Sequence, residues 1–116
     1  MTVQELEDIL VKVPNQKLPV KMRRFDEPHP PYVTKVKQKS THAFLPRSTT
    51  WTYVFLFNRP FHFHMTVKKF LKKLSRLDAA STVSTFMYNS AGSWFIYANR
   101  VEVQEDAVMI YMDLCQ

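Results

Sequence analysis

Apolar residues recur at helical spacing at the start of the chain and again past its middle. Over most of the remainder they alternate with polar ones. Val3, Leu6, Ile9, Leu10 and Val13 fall on one face of a helix predicted over residues 2–13. Thr2 and Glu5 fit the Thr-x-x-Glu capping box, in which each side chain satisfies a free backbone N–H of the first turn. Glu5, Glu7 and Asp8 favour the positive end of the helix dipole, and Pro14 stops the helix. A second helix is expected over 67–77 behind Thr66 as cap. Its stripe is Val67, Phe70, Leu71, Leu74 and Leu77, and Lys68, Lys69, Lys72, Lys73 and Arg76 occupy the rest of the circumference.

Period-two alternation predicts strands elsewhere. Trp51, Tyr53, Phe55 and Phe57 alternate with Thr52, Val54 and Leu56. Asn58-Arg59-Pro60 reads as a turn, and Phe61, Phe63 and Met65 alternate with His62 and His64, so residues 51–65 are expected to form a hairpin. Further strands are expected over 82–89, 93–98, 101–103 and 108–114. Their joints are expected at Asn89–Gly92, where glycine can supply a positive φ, at Asn99-Arg100 and at Gln104–Asp106. Residues 14–50 hold six of the seven prolines and read as an irregular basic segment, with short edge strands at 18–25 and 32–36. Within it Glu27-Pro-His-Pro-Pro-Tyr32 reads as a loop or as a polyproline segment. The expectation is a single α+β domain: a mostly antiparallel sheet of four to six strands, one packed amphipathic helix and a short N-terminal helix.

Composition narrows the chemistry. One glycine in 116 residues excludes glycine-rich phosphate-cradling loops and the dinucleotide fingerprint. A single cysteine, Cys115, excludes a disulfide framework and a cysteine-based zinc site. No apolar run is long enough to cross a membrane as a helix, and the acidic first residues do not resemble a secretion signal, so an intracellular location, cytoplasmic or nuclear, is expected.

Charge changes the picture most. The net charge is +6, but residues 9–77 hold 15 of the 16 Lys and Arg against two acids, Asp26 and Glu27, and both flanks are acidic. Segregation of this kind points to an anionic partner. The basic residues form three groups. Lys17, Lys21, Arg23 and Arg24 are the first. Lys35, Lys37 and Lys39 are the second, at a spacing that puts all three on one side of a strand. Lys68, Lys69, Lys72, Lys73 and Arg76 are the third, and Arg59 stands in the expected turn near them. Nucleic acid, RNA or single strands above a specific duplex site, is the favoured partner. An acidic protein, an anionic membrane surface and self-association are the alternatives.

No cofactor and no enzymatic activity are expected. His62 and His64 form a His-x-His pair that could hold zinc with a third ligand such as His42, Asp78 or Glu102, but a polar strand face is the simpler reading. Cys115 has no neighbour in sequence that would activate a thiol, and Glu105-Asp106 reads as a turn.

Two local resemblances bear on the alternatives. The order of the 51–65 hairpin, the helix opening Thr66-Val67-Lys68-Lys69-Phe70-Leu71, and the strands 93–97 and 108–114 resembles that of ubiquitin-like β-grasp domains, which implies a protein-interaction adaptor. Asn58-Arg59-Pro60-Phe61, downstream of Pro30-Pro31-Tyr32, resembles a piece of vesiculovirus-type matrix proteins, which implies a membrane-apposed structural role.

Overall fold

A computed structural model describes residues 1–25, 27–42, 50–57, 63–89 and 92–114. Two helices, α1 (Val3–Leu10) and α2 (Val67–Leu74), accompany six strands: β1 (Val20–Arg24), β2 (Lys35–His42), β3 (Thr50–Phe57), β4 (Thr82–Asn89), β5 (Gly92–Val103) and β6 (Val108–Asp113). The strands form one sheet in the order β1-β6-β5-β4-β3-β2. The fold is the expected α+β arrangement, with one correction to the sheet. It is mixed, because β1 runs parallel to β6 and β3 parallel to β4, while the other three pairs are antiparallel. The β3–β4 pair follows from its connection: a chain that leaves a strand through a helix returns beside it in the same direction.

The capping box at α1 is formed. Glu5 N–H donates to the Thr2 hydroxyl at 3.2 Å and Thr2 N–H to the Glu5 carboxylate at 3.3 Å. Val3 and Gln4 donate their N–H groups to the carbonyls of Ser81 and Ala79, so the loop before β4 satisfies two donors that a helix start leaves open. Both helices are shorter than their apolar stripes suggested. α1 ends in a turn at Val11–Lys12, and α2 gives way to a turn carrying Arg76 and Leu77.

The core lies between the helices and one face of the sheet. Val3, Leu6 and Leu10 of α1 and Val67, Phe70 and Leu74 of α2 meet Val20, Met22, Leu56, Val83, Ile96, Ala98, Val108, Ile110 and Met112, all essentially without exposure. Each such side chain contributes about 1.5–3 kcal/mol on burial. That outweighs the few tenths of a kcal/mol by which each like-charged i, i+4 pair on α2 opposes the helix.

Two strand joints differ from expectation. β3 has β2 as its antiparallel partner, in register from Lys35 opposite Phe57 to His42 opposite Thr50, and residues 63–65 are not a strand; the predicted 51–65 hairpin is therefore not how β3 is paired. The β-grasp order read from the sequence rested on that hairpin. At Asn99-Arg100 there is no turn. β5 runs on through an irregularity between Ala98 and Arg100, a bulge that keeps both halves paired to β6. Gly92, which closes the β4–β5 connection, has φ +129°, a conformation side chains rarely adopt.

Residues 14–25 and 27–42 are more ordered than their prolines suggested, since β1 and β2 form the two edges of the sheet. Three backbone hydrogen bonds in a ring tie the β1 edge down. Val20 N–H donates to Met65 C=O (2.9 Å), Met65 N–H to Val33 C=O (3.0 Å) and Val33 N–H to Val20 C=O (2.8 Å). Met22 N–H donates to Pro31 C=O at 3.0 Å, so the proline segment lies along β1. The alternation around Met65 that reads as a strand in the sequence serves this junction.

Candidate anion-binding surface

The apolar stripe of α2 fixes where its cations point. With Val67, Phe70 and Leu74 buried, Lys68, Lys69, Lys72, Lys73 and, in the following turn, Arg76 are exposed. Lys69, Lys72, Lys73 and Arg76 line one surface recess of about 250 Å³. Neither ion pair found among the described residues involves them. Lys72 and Lys73 stand in the last turn, where the helix dipole favours positive charge. Lys68 and Lys69 stand in the first turn, where it does not, and α2 has no acid there. The helix dipole gives no reason for a cation at those two positions. Thr66 caps the helix by accepting from Lys69 N–H at 3.3 Å.

The second group lies on a different face. Val36 packs against the core and the Gln38 side chain accepts from Asp78 N–H at 2.9 Å, so these two side chains of β2 face the helices. Lys35 and Lys37 alternate with them and point to the opposite face of the sheet. The side chain of Lys39 and the whole of Arg59 lie outside the described residues. The structure thus brings the α2 cations together and does not merge them with the β2 lysines.

The first group is largely engaged. Arg24 makes a bidentate pair with Glu27, Nη2 to Oε1 at 2.9 Å and Nε to Oε2 at 3.3 Å, using one of the two acids of the basic block. The Arg23 guanidinium lies 5.8 Å from the centroid of Tyr111, and its Nε is buried without a hydrogen-bond partner. Arg23 and Arg24 therefore do not belong with the free cations among which the sequence placed them. Lys21 Nζ stands 4.7 Å from the Tyr32 ring centroid.

Comparison with protein-family models, with curated proteins and with solved structures returns no match. The function is therefore argued from the chain's own geometry.

One acid cluster sits on the sheet face away from the helices. Arg100 lies 3.8 Å from the Tyr111 ring centroid, and the Tyr111 hydroxyl donates to Glu102 Oε2 at 3.2 Å. Hydrogen bonds from Gln104, then Tyr111, then Arg100 hold the Glu102 carboxyl below the ordinary value of 4.5. Among the described residues no three His, Cys, Asp or Glu side chains converge in a way that could hold a metal ion. His64 stacks on Tyr32, and His62 and the side chain of His42 lie outside the described residues. No helix among the described residues is long and apolar enough to cross a membrane.

Sequence reasoning missed the neighbourhood of Phe63. This ring is 90% exposed, while Tyr32 and His64 beside it stack with centroids 4.4 Å apart. Inside an expected hairpin Phe63 read as a core strand residue in preference to one of several aromatics near the basic helix that could stack on single strands. The signal against that reading was Pro60 and the cap Thr66, which leave little room for a paired strand between them.

Proposed function

We propose that this chain is a non-enzymatic binding domain for the phosphate backbone of nucleic acid, RNA or another single strand, with α2 as its contact surface. The observation that carries the proposal is the recess lined by Lys69, Lys72, Lys73 and Arg76, four exposed cations with no acid among the described residues paired to them. Lys and Arg bind phosphates mainly by releasing counterions, so the affinity is steeply salt-dependent and largely independent of sequence. The exposed side of α2 offers lysines and no Asn or Gln of the kind that reads adenine edges, which suits backbone contact better than base readout in a duplex groove. The membrane alternative is weakened because an interfacial helix needs its apolar face for lipid, and that of α2 is committed to the core.

The test is fluorescence anisotropy of a labelled single-stranded RNA over a range of salt, on the wild type and on a variant with Lys68, Lys72 and Arg76 reversed to Glu. Wild-type affinity should fall linearly on a log–log plot against salt, and reversal should abolish binding with the circular dichroism spectrum intact. Unchanged binding by the variant overturns the assignment of α2. A stoichiometric protein partner that survives nuclease treatment and moderate salt, with no RNA binding, would favour the acidic-protein reading instead.

A further inference from the structure

We infer that Phe63, next in the chain to the His64 that stacks on Tyr32, is a base-stacking site for the same single strand whose phosphates lie along α2. The inference rests on the phosphate-binding reading and adds recognition of the bases to it.

The argument begins at the ring of backbone hydrogen bonds among Val20, Val33 and Met65. All three side chains are buried, so the junction is fixed from the inside. The neighbouring residues Lys21, Tyr32 and His64 lie together as a consequence. Tyr32 and His64 stack at 4.4 Å with their planes 26° apart, and Lys21 Nζ stands 4.7 Å from the tyrosine ring centroid. Phe63 is attached directly to this stack and is 90% exposed, with no ring contact among the described residues. An exposed aromatic ring on an anchored segment is available to stack on the π-face of a base.

The surroundings favour a nucleobase there. Lys68 N–H donates to Gln16 C=O at 3.0 Å and Val67 N–H to Leu18 C=O at 2.9 Å, so the turn carrying Lys17 is fastened to the start of α2. Lys17, Lys21 and Lys68 therefore flank the segment that presents Phe63, and α2 begins four residues after Phe63. The chain from Phe63 to Lys68 spans at most about 17 Å, a reach of a few nucleotides. An aromatic ring beside a cationic track is the arrangement by which single strands are held without regard to sequence: phosphates on the cations, bases on the ring. A lipid surface would call for a broader apolar patch, whereas among the described residues Phe63 and the partly exposed Tyr32 stand with Lys21 and His64.

The test compares a uridine oligomer with an abasic strand of the same length, on the wild type and on Phe63→Ala and Tyr32→Ala, with folding checked by circular dichroism. The wild type should bind the uridine strand roughly tenfold more tightly than the abasic one. Phe63→Ala should remove most of that preference and leave the salt dependence unchanged, and Tyr32→Ala, which loosens the support, should remove part of it. Equal binding of both strands by the wild type, with the salt dependence intact, overturns the stacking site and leaves the phosphate reading standing. Failure to bind either strand overturns both. Flotation with phosphatidylserine vesicles that depends on Phe63, without any preference for bases, overturns the stacking site in favour of a lipid surface.

Discussion

Helix α2 and strand β1 each carry a cluster of cations that looks equivalent in the sequence, and the fold treats the two in opposite ways. On β1, Arg24 is paired to Glu27, Arg23 is half-buried against Tyr111, and Lys21 lies over Tyr32. On α2 and its following turn, Lys69, Lys72, Lys73 and Arg76 converge on one recess and make no ion pair among the described residues. A charge run is thus a statement about the fold where partners surround it, and a statement about a ligand where none does. The difference arises from position. β1 is an edge strand overlaid by the 31–33 segment and joined to β6, so its side chains meet aromatic and acidic neighbours. α2 turns its apolar stripe inward and leaves its cations to solvent.

The comparison breaks most severely if the apolar anchor of α2 is removed. Phe70→Ala should destabilise the protein by about 3–5 kcal/mol, the usual cost of emptying a fully buried aromatic site, measured by urea denaturation. A loss below about 1 kcal/mol would mean that the helix is not seated in the core. Next comes the cap: Thr66→Ala should cost about 1 kcal/mol, because the open donor of Lys69 loses its acceptor. Smaller again is Arg24→Ala. Loss of its partly exposed pair with Glu27 should cost about 0.5–1 kcal/mol in the same measurement, whereas Lys72→Ala should change stability by less than about 0.5 kcal/mol in either direction. Equal costs for Arg24 and Lys72 would erase the distinction between engaged and free cations.

The finest effect lies in pH. The Glu102 carboxyl is held below its ordinary value, so it stabilises the fold above the unfolded-state value and loses that contribution as pH falls through the lower folded value. Glu102→Gln should therefore lower thermal stability slightly at neutral pH, flatten its decline on the acid side of pH 4.5, and converge with the wild type in acid. Thermal melts of both proteins over acidic pH check this.

Both helices were legible in the sequence because their signals are local: a capping box, a Thr cap and apolar residues at helical spacing. The strands 82–89 and 108–114 were legible from alternation alone. What escaped was pairing. Pro60 and the cap Thr66 argue locally against residues 61–65 as a partner for β3, but nothing local points to β2, which pairs with β3 from far along the chain while Val33 and Met65 meet Val20. The same limit applies to the candidate surface. The α2 cluster could be read from one helix, while the engagement of Arg23 depends on Tyr111, many residues distant. The Arg24–Glu27 pair was closer to hand, since three residues separate its members and Glu27 is one of only two acids in the basic block.

The most direct measurement is the salt dependence of single-stranded RNA binding by two variants, one with Lys69, Lys72, Lys73 and Arg76 changed to Gln and one with Arg23 and Arg24 changed to Gln. If the four α2 cations each contact a phosphate, the first variant should lower the slope of log affinity against log salt by about 3, and the second should leave the slope within about 1 of the wild type. Equal slopes in the wild type and the α2 variant, or the larger loss in the β1 variant, would contradict the assignment of the binding surface to α2.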